Sequence, residues 1–254
     1  MSKDASSSGE QPLIAHLLEL RTRLLRALIG VLIVFIPLAY FAKDFYRIVA
    51  APLMQLMPAG TGMIATEVAS PFFAPFKLAG LAALVIALPW VLYQTWAFIA
   101  PGLYKNEQRL VVPLLATSSA LFYVGMLFAY FVVFPIVFGF FVKVAPEGVT
   151  VMTDISRYLD FVITMFLAFG AAFETPVAIV LLVKTGFVTP ADLAAKRAYV
   201  LVGTFLLSAF LTPPDIFSQL LLAGPAYLLF EIGIVWARIL VPGAREVEAQ
   251  RRGE

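Results

Sequence analysis

Glu174 lies inside the apolar stretch Phe169-Gly170-Ala171-Ala172-Phe173-Glu174-Thr175-Pro176, where an ionised carboxylate costs at least about 2.5 kcal/mol at mid-membrane depth. Such a group either faces protein or water and handles a proton or substrate, or stays neutral and bonds the carbonyl that Pro176 leaves unpaired. Both roles stay open from the residues alone. Glu19 belongs to LIAHLLELRTRLLR, residues 13–26, which puts Leu13, Leu17, Leu20 and Leu24 on one helical stripe and His16, Glu19, Arg23 and Arg26 on another. That spacing predicts an amphipathic interfacial helix, with Glu19 and Arg23 an ordinary i,i+4 pair. Glu107, in Pro101-Gly102-Leu103-Tyr104-Lys105-Asn106-Glu107, follows a Pro-Gly turn and also suits a helix N-terminus. Taken together, the carboxylates of Glu19 and Glu107 supply what is needed to hold a guanidinium pair from a partner. Asp215, in Thr212-Pro213-Pro214-Asp215, is placed to cap the helix that follows. Gln219, one turn on, could bond a neighbouring helix of this chain or of another. Lys77 and Glu231 sit within reach of a membrane interface and read as snorkelling side chains.

The elements that must position these residues follow from composition. Of 254 residues 61% are hydrophobic and 13% charged, with mean hydropathy +0.93, against about 45–50% apolar and 25% charged in an average soluble domain. That surplus requires an apolar phase outside the protein, and the reading is an integral membrane protein. With no Cys and one His, disulfides, thiolate nucleophiles, Cys-ligated metal and multi-His sites are excluded, no enzyme constellation is present, and neither a metal nor another cofactor is expected.

Residues 24–41, 71–98, 110–142, 159–183, 198–211 and 216–234 are the apolar blocks. They predict an all-α fold of six transmembrane helices, residues 13–240, between a polar tail over 1–12 and a second tail over 241–254. The first block lacks a cleavage pattern and reads as a retained anchor. At about 1.5 Å per residue, the fifth and sixth helices come to about 21 and 28 Å, short for a core of about 30 Å. Prolines 89, 113, 135, 176 and 225 inside the blocks predict a kinked, concave bundle. Thirteen of the 18 Lys and Arg flank one side, four the other, and Lys77 lies within the second block; by the positive-inside rule both termini are cytoplasmic.

Four stretches, HLLELR (His16–Arg21), FIAPGLYKNEQR (Phe98–Arg109), FGAAFETP (Phe169–Pro176) and TPPD (Thr212–Asp215), occur in the order and at the depths that resemble the TatC family, the polytopic receptor subunit of the twin-arginine protein translocase. The resemblance covers about Leu13 to Leu240. It implies that folded proteins carrying twin-arginine signal peptides dock on the cytoplasmic face of the inner membrane, for export driven by the proton motive force. Glu107 would be the principal partner of the arginines, with Glu19 beside it and Arg21 and Phe98 shaping the site. By the same resemblance Glu174 faces the concave side, Pro52 and Asp215 lie in functionally sensitive outer segments, and the fifth and sixth spans, with Thr212 and Gln219, dock the single-span partners TatB and TatA. Self-association in the complex is implied as well. The rival from another class is a proton-coupled small-solute transporter, motivated by Glu174 and the proline-broken helices; a purely structural scaffold is the third reading.

Overall fold

The computed structural model describes residues 10–55, 62–99, 111–144, 152–212 and 215–241. All regular elements among the described residues are helical, the form in which each backbone group finds its partner within its own segment when no water is at hand. α1 (Glu10–Leu38) carries Pro37 in its last turn, tightens into a 3-10 turn over Ala39–Phe41, and passes into α2 (Ala42–Met54). The apolar block ends at Phe41, and the sequence reads as loop beyond it; the helix nevertheless continues to Met54. Lys43, Asp44 and Arg47, the charges that end the block, lie on the exposed side of α2, while Ala50 and Leu53 are buried.

The block over 71–98 divides at Ala87 into α3 (Ser70–Ile86) and α4 (Leu88–Ile99), bent by 60°. The break falls two residues before Pro89, which thereby sits in the first turn of α4, where a missing N–H costs no intrahelical bond. α5 (Val111–Phe128) leads through a π-helical turn, Ala129–Val133, into α6 (Phe134–Val144). In that turn the Phe134 N–H reaches back to the Ala129 carbonyl, which adds a residue to the turn just ahead of Pro135. α7 (Ile155–Phe173) and α8 (Thr175–Lys184) are separated at Glu174, again two residues before a proline, Pro176. A short α9 (Pro190–Ala195) with a Thr189/Asp192 capping box precedes α10 (Arg197–Leu211) and α11 (Ile216–Leu240).

α11 corrects one expectation. The apolar block ends at Ile234, yet the helix runs six residues further and is not short; Arg238 lies in its last turn, where a cation complements the carbonyl end of the helix. Among the described residues, four helical stretches are long and apolar enough to cross a membrane: His16–Ala51, Pro113–Val144, Ile155–Lys184 and Ile216–Leu240. The bent pair of α3 and α4 makes a fifth if taken as one span, and α10 is a shorter apolar helix.

The chain forms two compact units, Met1–Ala42 with Ala79–Ser119, and Lys43–Leu78 with Ala120–Glu254. In the first, α1 packs on α4, and the Trp96 indole N–H donates to Ser118 Oγ at 3.0 Å in the interior. In the second, Phe134 and Phe138 of α6 and Tyr158 and Phe166 of α7 form an aromatic core, and Phe169 of α7 packs on Phe128 of α5. A Cβ at Gly125 would stand 2.5 Å from the Phe169 carbonyl oxygen, so α5 and α7 meet backbone to backbone only because that position is bare. Ile179 and Val183 of α8 pack against Phe230, Ile234 and Ala237 of α11.

Polar ties fasten the second unit where the helices end. Ile64 and Asp154 form a parallel bridge, with Ile64 N–H on the Thr153 carbonyl at 3.0 Å and Ile155 N–H on the Ile64 carbonyl at 2.9 Å. Asp154 Oδ2 accepts from both the hydroxyl (2.7 Å) and the N–H (2.9 Å) of Thr66, while Oδ1 caps α7 through Ser156 and Arg157 N–H. Lys77 does not snorkel alone: its Nζ lies 2.6 Å from Asp160 Oδ1, an acid one residue inside the fourth apolar block. Two phenols hold α2, with Tyr130 Oη donating to the Ile48 carbonyl and Tyr158 Oη to the Val49 carbonyl, both at 2.8 Å. Ile48 is four residues before Pro52, so its carbonyl has no intrahelical donor; the Tyr130 hydroxyl takes the place of the missing N–H.

Two outcomes are expected. Tyr130→Phe lowers stability by about 1 kcal/mol, the net worth of a hydrogen bond, but costs far less in a Pro52→Ala background, where position 52 regains an N–H for Ile48; thermal unfolding of the four proteins in one detergent measures the coupling. Hydrogen bonds from the Thr66 hydroxyl and N–H, with those of Arg157 and Ser156, hold the Asp154 carboxyl at about 2, below its ordinary 3.8. A depressed folded-state value stabilises above the unfolded one and is lost as pH falls through the folded one, so protection of the Thr66 amide against hydrogen exchange should persist at pH 5 and vanish between about 4 and 2; Asp154→Asn should abolish that dependence.

Candidate functional site

Within the first unit, α1 runs along α4 with its polar stripe inward. His16 stacks on Phe98, ring centroids 4.4 Å apart and planes 19° from parallel. Arg23 donates from Nη2 to Glu19 Oε1 at 3.2 Å and from Nη1 to Gln94 Oε1 at 3.4 Å. The Trp90 indole N–H donates to the Arg26 carbonyl at 2.9 Å. Trp90, Gln94 and Phe98 are four residues apart, one face of α4, and they meet His16, Glu19, Arg23 and Arg26 in antiparallel order. Leu17, Leu20 and Leu24 point away and are exposed. The two stripes read from the sequence are therefore real, and it is the polar one that contacts protein, because the leucines have hydrocarbon to face and the polar groups do not.

Gly30 makes this contact possible. A Cβ there would lie 2.4 Å from Trp90 Cδ1 and 2.7 Å from Nε1, inside the indole ring's contact shell. The bare position lets the Nε1 edge of the Trp90 ring reach α1 and donate to the Arg26 carbonyl, in the same register that pairs Arg23 with Gln94 and His16 with Phe98.

The resulting corner is chemically lopsided. Gln94 is buried and fixes Arg23, which in turn holds one oxygen of Glu19; the Glu19 side chain remains 37% exposed. Arg21 is exposed on the same helix, and Phe98 is half-buried. The corner thus offers an oriented carboxylate with room for a further cation, beside an aromatic pair. α4 ends at Ile99, immediately past Phe98, and Glu107 lies outside the described residues.

The remaining candidates lie in the second unit. Glu174 is half-buried at the break between α7 and α8; its N–H closes a 3-10 turn on the Ala171 carbonyl at 3.1 Å, and its carbonyl starts α8 by accepting from Ala178 N–H at 2.9 Å. Pro52 is in the last turn of α2. Asp215 Oδ1 caps α11 by accepting from Ser218 N–H at 2.6 Å. Thr212 Oγ1 donates back to the Ser208 carbonyl at 2.9 Å, and Gln219 Nε2 crosses from α11 to the Phe205 carbonyl of α10 at 3.1 Å. Pro213 and Pro214 fall outside the described residues. Glu231 is not a snorkelling acid: it takes both Nε and Nη2 of Arg197, at 2.6 and 2.8 Å, and the Tyr227 hydroxyl at 3.1 Å, tying the start of α10 to α11. Sequence reasoning missed the partners of Lys77 and Glu231. The one signal available was the presence of opposite charges, Asp160 and Arg197, at the ends of other apolar blocks.

Known proteins share this chain over nearly its whole length. A family model described as TatC, Sec-independent protein translocase protein, matches residues 15–225. The Sec-independent protein translocase protein TatC of Escherichia coli (strain K12) is 58% identical over 243 residues, covering 96% of this chain and 94% of the relative. That of Haemophilus influenzae is 54% identical over 244 residues, covering 96% and 95%. A crystal structure described as the twin arginine translocase receptor TatC superposes with a TM-score of 0.79 at 38% identity, over 88% of this chain and 98% of that one. By sequence and by fold alike, the chain belongs to the TatC family of Sec-independent protein translocase proteins.

Proposed function

We propose that the α1–α4 corner, together with the 100–110 segment that follows it, receives the arginine pair of a twin-arginine signal peptide. The observation that carries this reading is the Glu19 carboxylate, oriented by Arg23 and Gln94 and still exposed, beside the His16–Phe98 stack. Glu107 is the second carboxylate of the clamp, and Arg21 and Phe98 bound the site. Bidentate guanidinium contacts to two carboxylates give a preference for Arg over Lys, which offers only a point charge.

As a multi-pass membrane protein of a translocase family, the chain acts by binding and assembly rather than by catalysis. On this reading it makes six spans in the inner membrane with both termini cytoplasmic, associates with copies of itself, and uses the proton motive force through its complex. TatB- and TatA-like single-span proteins dock on α10 and α11 near Thr212 and Gln219. α10 suits that role because its outward residues Val202, Leu206 and Phe210 are exposed and apolar. Pro52 and Asp215 act in the segments on the opposite side from the termini, and Glu174 serves as the intramembrane polar group. The small-solute transporter finds no support in the family or in the structural relatives.

Site-specific crosslinking of a twin-arginine signal peptide to the membrane-embedded protein tests this. Glu19→Ala and Glu107→Ala should each reduce capture about tenfold, the order expected for one charge-assisted hydrogen-bonded pair, and Lys-Lys peptides should crosslink worse than Arg-Arg. Equal capture of the two peptides would sink the clamp. Gly30→Val changes the identity of no clamp residue but drives a branched side chain into Trp90 and so displaces α1 from α4; it should weaken capture as strongly as Glu19→Ala and shift the tryptophan emission.

A further inference from the structure

A cavity of about 250 Å³ lies in the second unit between the end of α2, the last turns of α6 and the first turns of α7. Leu53, Phe138, Phe141, Tyr158 and Phe161 form its walls. Because it lies where α6 ends and α7 begins, it is level with a boundary of the membrane, whichever way the chain is oriented. Phe141 is 38% exposed, so the cavity reaches the surface on its α6 side.

Water is a poor occupant. At about 30 Å³ per molecule the cavity would take on the order of eight waters, each needing two to four polar partners. The nearby polar groups are already engaged: the Tyr158 hydroxyl on the Val49 carbonyl, the Thr153 carbonyl on Ile64 N–H, and the Asp154 carboxylate on Thr66, Ser156 and Arg157 N–H. Besides the Thr153 hydroxyl, a single group that cannot hold a cluster of waters, the exception on the wall is Arg157. Its side chain is exposed and forms no ion pair among the described residues. The two acids closest to it in sequence are committed, Asp154 as above and Asp160 to Lys77. An uncompensated guanidinium therefore stands at an aromatic cavity on the membrane boundary, and what matches both is an amphiphile with an anionic head.

We infer that this cavity holds part of one acyl chain of an anionic phospholipid, whose phosphate pairs with the Arg157 guanidinium. The planar fork of arginine suits two phosphate oxygens, and the rings give the chain an apolar surface to lie against. Leu53 belongs to the same helix that Tyr130 and Tyr158 grip, so the lipid is a further tie between α2 and the α6–α7 pair, one supplied by the membrane rather than by the chain.

The test is native mass spectrometry of the full-length protein released from nanodiscs of phosphatidylcholine doped with phosphatidylglycerol. The unaltered protein should retain one phosphatidylglycerol in preference to phosphatidylcholine. Arg157→Gln should retain it about fivefold less, the factor for one basic residue at an anionic lipid, while Arg157→Lys should keep part of the preference. Val142→Trp, at another wall position, should expel the lipid with Arg157 intact, and thermal unfolding of each variant verifies that it is folded. Undiminished phosphatidylglycerol on folded Arg157→Gln and Val142→Trp protein would overturn the proposal, as would equal retention of the two lipids. Displacement of the lipid by inorganic phosphate would overturn the acyl-chain site and leave only an anion contact.

Discussion

A proline inside an apolar helix leaves a carbonyl that no water can satisfy and a ring that collides with it, and much of the architecture of this chain follows from how four of its prolines, at 52, 89, 135 and 176, are accommodated. The break at Ala87 moves Pro89 into the first turn of a new helix, and the break at Glu174 does the same for Pro176. The π turn over Ala129–Val133 accommodates Pro135 by inserting a residue. For Pro52 the helix does not break at all; the Ile48 carbonyl is handed to Tyr130. Tyr130 is itself a residue of the π turn, so the distortion made for one proline presents the hydroxyl that the other requires. That coupling links α2 to the aromatic core and gives Pro52 a structural reason for being proline.

The first unit obeys a related rule turned inside out. A soluble amphipathic helix buries its leucines, but α1 exposes Leu17, Leu20 and Leu24 and turns its partly covered Glu19 and Arg23 toward α4. Lipid tails are as apolar as leucine, so burying leucine gains little, whereas leaving Arg23 or Gln94 toward hydrocarbon is costly. The consequence is functional. On the proposed reading, the Glu19 carboxylate that would meet a cationic peptide is held by Arg23, which Gln94 of α4 holds in turn, so the contacts that join the helix pair also orient the site.

The apolar blocks, their helical character and the stretches that carry the family resemblance were all legible, because a membrane span writes itself as hydrophobic length. The helical state of Lys43–Met54 was not, since a charged amphipathic turn after an apolar run looks like a loop until Tyr130 and Tyr158 are seen to dock it. The partners of Lys77 and Glu231 were missed for a similar reason: Asp160 lies 83 positions from one and Arg197 lies 34 from the other, and no local spacing reveals such pairs. The clasp of Thr66 on Asp154 likewise joins two connections whose sequences carry no hydrophobic period. The two stripes of residues 13–26 were correctly separated, but which one meets protein depends on the solvent outside, and periodicity is silent about that.

The α10–α11 hairpin bears on how a partner helix could be recognised. The hydroxyls of Thr204, Ser208 and Thr212 all return to carbonyls of α10, and the Gln219 amide nitrogen is spent on Phe205. Outward, α10 offers Val202, Leu206 and Phe210, and nothing there competes with lipid through the hydrophobic effect alone. A single-span partner that docks on this helix must therefore gain from shape, by packing more closely than acyl chains can. Among the polar groups left at the hairpin, Asp215 Oδ2 and Ser218 Oγ are buried, and the Gln219 side-chain oxygen accepts no hydrogen bond from the described residues. On the docking proposed above, a hydroxyl-bearing residue on the partner at the level of Gln219 would donate to that oxygen and an aliphatic one would not, so depth along the membrane normal would count beside overall hydrophobicity.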